Sequence, residues 1–110
     1  MDPITFDDFK KMELIVGKIA SIENHPNADK LFVIQVDLGT EIRQVVAGIR
    51  PYYTPEKLLG KCVVVVANLA SVNIRGVDSN GMILAAKDGA NANVVVLSPE
   101  TDVAPGSRVS

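Results

Sequence analysis

Apolar and polar positions alternate with a period of two over much of this chain. Phe32, Ile34, Val36 and Leu38 fall on one face of a segment, with Val33, Gln35 and Asp37 on the other. That is the signature of a half-buried strand over 31–38. Leu14 to Glu23 is rich in β-branched and aliphatic residues, and Gly17 within it suggests a bulge or bend. Gly39-Thr40-Glu41 reads as a short hairpin connection, after which Ile42 to Ile49 returns as a third strand. Cys62 to Ala67 is an uninterrupted apolar run of strand length, the mark of a central strand buried on both faces.

The remaining segments read as connections and short helices. Thr5 to Lys11 forms a short helix with Thr5 as N-cap and Phe6 and Phe9 on one face. Thr54 and Pro55 start one or two helical turns that Gly60 stops. No apolar period persists from Asn68 to Met82, which reads as a loop between buried strands with Asn80-Gly81 as its tight-turn signal. Met82 to Lys87 is a fifth strand, Asp88-Gly89-Ala90-Asn91 a turn and Val94 to Leu97 a short sixth strand. Ser98 to Ser110 is irregular. Three strands, a short helix and two more strands give β-β-β-α-β-β. We read residues 1–110 as one all-β domain, a five-stranded OB-fold barrel with a helix between strands 3 and 4. The N-terminal helix and C-terminal extra strand lie outside the minimal barrel.

Composition narrows the function classes. Hydrophobic residues are 47% and charged residues 22% of the chain, ordinary values for a globular protein. No apolar run approaches 18 residues and the N-terminus is acidic, so neither a membrane span nor a signal peptide is expected. The single cysteine, Cys62, cannot pair internally and fits a reducing cytoplasm. Net charge is −2, and the acidity sits at the ends: residues 1–13 hold four acids against two lysines, whereas 14–99 hold eight bases against seven acids. One histidine and one cysteine exclude an ordinary zinc site of four N/S ligands. No phosphate-cradling glycine loop or nucleophile elbow is present. The chain reads as a binding module without cofactor or catalysis.

Four collinear stretches carry a resemblance to a known family: LIVGKI at 14–19, HPNADKLFVIQVDLG at 25–39, the Asn68-Leu69 pair and RGVDSNGMILAA at 75–86. Together they resemble the tRNA-binding domain of methionyl-tRNA synthetases, also found as a free-standing, structure-specific tRNA-binding protein. The resemblance covers roughly residues 12–110. It implies an OB barrel, a homodimer formed through the Phe6/Phe9 helix and the segment after Ala90, and tRNA as ligand. It also implies methionyl-tRNA synthetase as a possible partner. Carried over position by position, Lys30 would contact the phosphate backbone and Arg43 would face the nucleic acid. His25 would shape its loop or touch a base. Asn68 offers a donor and acceptors at the barrel mouth, and Arg75 charge and a stacking plane. Ser79 would offer a hydroxyl to phosphate or ribose, and Met82 a soft apolar contact to a base or a place in the core. Relatives carry two lysines where this chain has Ala70, Ser71 and Asn73, so the loop has two fewer positive charges to meet phosphate. The same fold family includes dimeric secretion chaperones that bind polypeptides, which supplies the alternative function.

Overall fold

The computed structural model describes residues 1–90 and 92–110. Asn91, at the end of the turn read over 88–91, lies outside the described residues. In chain order the elements are α1 (Phe6–Lys10), β1 (Leu14–Asn24), β2 (Phe32–Asp37), β3 (Ile42–Ala47), α2 (Pro55–Leu58), β4 (Cys62–Val66), β5 (Val72–Ile74), β6 (Val77–Ser79), β7 (Met82–Ile83), β8 (Ala85–Asp88), β9 (Asn93–Val96) and β10 (Arg108–Val109). The main sheet runs β3-β2-β1-β4-β7, each neighbouring pair antiparallel. Backbone and side-chain hydrogen bonds close it into a barrel between β3 and the β6 segment. The Asn80 amide donates to Gln44 O at 2.8 Å, the Val46 amide to Ser79 Oγ at 3.0 Å, and Gln44 Nε2 to Asp78 O at 2.8 Å.

The alternation read from the sequence sorts the residues as expected. Phe32, Ile34, Val36 and Leu38 point into the barrel, where they meet Ile19, Val45, Val63 and Val65. Leu58 of α2 is fully buried and plugs one end. Thr54 occupies the N-cap position of that helix, although its hydroxyl makes no capping bond. β4 is buried on both faces: Val63 and Val65 look inward, while Val64 and Val66 join Leu14 in a second cluster roofed by Phe9, Leu84 and Val109. Each of these valines contributes about 1.5–3 kcal/mol by leaving water, so the outer cluster fixes α1 and the C-terminal strand to the barrel. Thr5 caps α1 through Asp8 N at 3.1 Å, as its sequence position predicts.

Four details differ from the sequence reading. The stretch from Asn68 to Met82 is no plain loop, because it contains the β5–β6 hairpin. Its turn is Arg75-Gly76, both at positive φ (52° and 94°), the two-residue form that matches strand twist. Asn80-Gly81 instead links β6 to β7. The fifth barrel strand is bent into β6, β7 and β8, with Leu84 reaching over to β4. The irregularity in β1 falls at Ala20, where the register with β2 shifts between Ile19 and Ser21, and not at Gly17.

The irregular C-terminal segment also carries β10, which lies beside Leu14 and Ile15. Its approach turn rests on the β2–β3 hairpin backbone to backbone. A Cβ added at Gly106 (φ 92°) would stand 2.7 Å from Leu38 O, and one at Gly39 would stand 2.6 Å from Pro105 O. Neither carbonyl can yield as a flexible side chain would. Gly106→Ala therefore loses about 2–3 kcal/mol from positive-φ strain plus the contact, read as a lower urea midpoint at unchanged slope. No helix among the described residues is long and apolar enough to cross a membrane.

Candidate nucleic-acid interface

Two connections meet at one corner of the barrel. The β1–β2 loop, residues 25–31, closes on itself through His25 N to Leu31 O at 3.0 Å. The His25 ring is buried, at 3% exposure. Its Nδ1 lies 2.9 Å from the Asn27 backbone N–H and must accept, so Nε2 carries the proton and donates to Ile74 O at 2.9 Å. Asn27 Nδ2 donates to Arg75 O at 3.1 Å. The loop is thus joined to the tip of the β5–β6 hairpin, 48 and 49 residues away in sequence. Arg50 holds the loop from the other side, its Nη1 donating to Ala28 O at 3.4 Å.

The hairpin is made by its own polar residues. Asn73 Oδ1 accepts from Gly76 N at 3.0 Å, and its amide donates to Asp78 Oδ1 at 2.9 Å. Asn73 thus spends its side chain on building the turn.

The residues singled out in the sequence divide by what their polar groups already bind. Ser79 is buried, accepting from Val46 N and donating to Gly81 O at 3.2 Å, so its hydroxyl closes the barrel. Arg43 is half-buried. Its guanidinium donates to Ala67 O and, at 3.2 Å, to Asn80 O, and pairs with Glu41 at 2.8 Å. Asn68 accepts from Glu13 N at 2.9 Å and donates to Lys11 O at 2.6 Å, tying the end of α1 to the barrel. His25 is a tether between loops. Lys30 and Arg75 are exposed, with no side-chain partner among the described residues. Met82 is 46% exposed and so is not core.

Met82 borders a groove of about 480 Å³ between the end of β3 and β7–β8, lined also by Val46, Gly48, Tyr52 and Lys87. Arg50, Tyr52 and Lys87 were not among the residues read as functional. The run Arg50-Pro51-Tyr52-Tyr53 carried a signal, a base followed by two aromatics, the pairing that stacks and neutralises single-stranded nucleic acid. Tyr53 is structural, its hydroxyl accepting from Val96 N at 3.1 Å. No cluster of three His, Cys, Asp or Glu side chains suited to a metal occurs among the described residues. The surface offers exposed cations and an exposed aromatic beside an apolar slot.

Comparison with known proteins agrees with this chemistry. A family model described as "Putative tRNA binding domain" matches residues 14–108. The chain is 51% identical over 109 residues to the methionine–tRNA ligase of Thermococcus kodakarensis, covering 99% of this chain and 14% of the ligase. It is 53% identical over 106 residues to that of Chloroherpeton thalassium, covering 96% and 15%. The chain therefore spans about a seventh of the length of these curated relatives. Among solved structures, the MetRS-related protein from Pyrococcus horikoshii superposes with a TM-score of 0.92 at 33% identity, each chain fully covered. The chaperone CsaA from Bacillus anthracis superposes with a TM-score of 0.89 at 27% identity, covering 99% of this chain and all of that one. With an OB-like barrel and a family model spanning nearly its whole length, this chain belongs to the tRNA-binding domain family.

Proposed function

We propose that this protein is a non-catalytic, structure-specific tRNA-binding protein, working alone or as a detached accessory subunit of methionyl-tRNA synthetase. The observation that carries the reading is the joining of the Lys30 loop to the Arg75 hairpin beside the Tyr52–Met82 groove. Such an arrangement suits a partner that presents a phosphate backbone with unstacked bases nearby. As an accessory, it would raise the local concentration of tRNA beside a catalytic partner. The reading is tested by titrating the protein with total tRNA, duplex DNA and an unfolded polypeptide. Micromolar binding to tRNA alone, weakening steeply with salt, supports it.

A second reading, a polypeptide-binding chaperone, draws on the similarity to CsaA and on the apolar lining of the groove. Retained polypeptide binding without tRNA binding would favour it.

Both readings include a homodimer. Ile4 and Phe6 are 70% and 71% exposed, and Met12 and Leu97 are also open, around the outer cluster on β4. Deleting residues 91–110 is no clean test, because Val94 and Val96 belong to the barrel core. Phe6→Asp is cleaner: the exposed ring stacks on Phe9, at 6.4 Å between centroids, and lies under Lys10. Sedimentation should show monomers with unchanged circular dichroism, and a persisting dimer would place the interface elsewhere.

A further inference from the structure

We propose that His25 and Asn27 are positioning residues, a clasp that holds Lys30 and Arg75 in one rigid arrangement before RNA arrives. The inference rests on the tRNA-binding reading above and names what organises that site. His25 is nearly solvent-free, so it cannot be a surface contact. Its two ring nitrogens are divided between the loops, Nδ1 holding Asn27 N in its own loop and Nε2 holding Ile74 O in the hairpin, each at 2.9 Å. Asn27 adds the bond to Arg75 O, the carbonyl of the residue whose side chain is free. Both cations are therefore carried on backbone that is hydrogen-bonded across a gap of 48 residues.

The hairpin tip gives a second, independent reason. Arg75 sits at φ 52°, a left-handed conformation that asparagine or glycine fills more easily than arginine. The strain fixes where the arginine side chain leaves the turn, and the Asn27 bond holds that turn against the neighbouring loop. Strained residues of this kind persist when their surroundings over-determine them. Pre-ordering the two cations removes an entropy cost that binding would otherwise meet.

The test compares tRNA affinity across salt for the intact protein, Asn27→Ala, His25→Asn and the double variant, with amide exchange measured in the free proteins. A clasp changes affinity without changing the number of phosphates neutralised. Asn27→Ala should thus bind total tRNA about fivefold more weakly, with the same slope of log K against log salt. His25→Asn should weaken binding similarly although it cannot touch RNA, and the double variant should be little worse than either single one. Amide exchange should quicken at 25–31 and 74–76. Unchanged affinity in Asn27→Ala, a flatter salt slope, or an effect of Asn27→Ala that His25→Asn does not share would overturn the clasp. The last result would make Asn27 a direct contact. If the intact protein binds no tRNA, the functional reading fails. The clasp is then judged on amide exchange alone, and unaltered exchange in both variants refutes it.

Discussion

Changing Lys30 and Arg75 together to alanine should cut tRNA affinity by about 40-fold near 0.1 M salt, roughly 2 kcal/mol, and leave the fold intact. The magnitude follows from counterion release. Each phosphate neutralised contributes about 0.7–0.9 to the slope of log K against log salt, so one contact is worth about sixfold at 0.1 M relative to 1 M. Two contacts multiply to about 40, and the slope should fall by about 1.5. Both side chains are exposed with no partner among the described residues, so their removal should not disturb packing. Salt-dependent titration reads both quantities at once. A loss of affinity at full slope would mean that these side chains act through something other than phosphate.

Arg43→Ala should have the opposite profile. Its guanidinium joins β3 to Ala67 and Asn80, the ends of the strands that flank the β5–β6 hairpin, and meets Glu41. Truncation leaves two carbonyls short of a charged donor at the mouth of the barrel. We expect a loss of about 2–3 kcal/mol, a fall in Tm of about 10–20 °C, and an unchanged salt slope for tRNA in the fraction still folded. A normal Tm with a flattened slope would move Arg43 from the scaffold to the interface.

These two variants illustrate what could be read from the sequence. The order of elements along the chain, the two-sided burial of β4, the short helix before it and the Thr5 cap all follow from local pattern. Period-two alternation and capping chemistry act within ten residues. The β5–β6 hairpin escaped because its strands have three residues each, too few for a period of two to stand out from a loop. On paper Asn80-Gly81 is also a better turn than Arg75-Gly76. Tertiary bonding decided between them: Asn80 N is taken by Gln44 O, which keeps that segment extended against β3.

The candidate site was legible as a set of residue types but not as a set of free groups. Arg43 and Arg75 look alike in the sequence. Only the fold brings Arg43 onto carbonyls 24 and 37 residues away and leaves Arg75 at a hairpin tip. Ser79 and Asn68 are likewise engaged by partners distant in the chain. Tyr52 joins the site only because the fold sets the segment after β3 along the same groove as Met82, and Arg50 only through its bond to Ala28 O in the Lys30 loop.

The measurement that bears most directly on the account is an amide chemical-shift titration of isotope-labelled protein with tRNA. Shifts should concentrate at 25–31, at 46–52 and at 73–82, with the outer face around Phe6 and Leu97 unmoved. Shifts confined to that outer face, or none at tRNA concentrations well above micromolar, would contradict it.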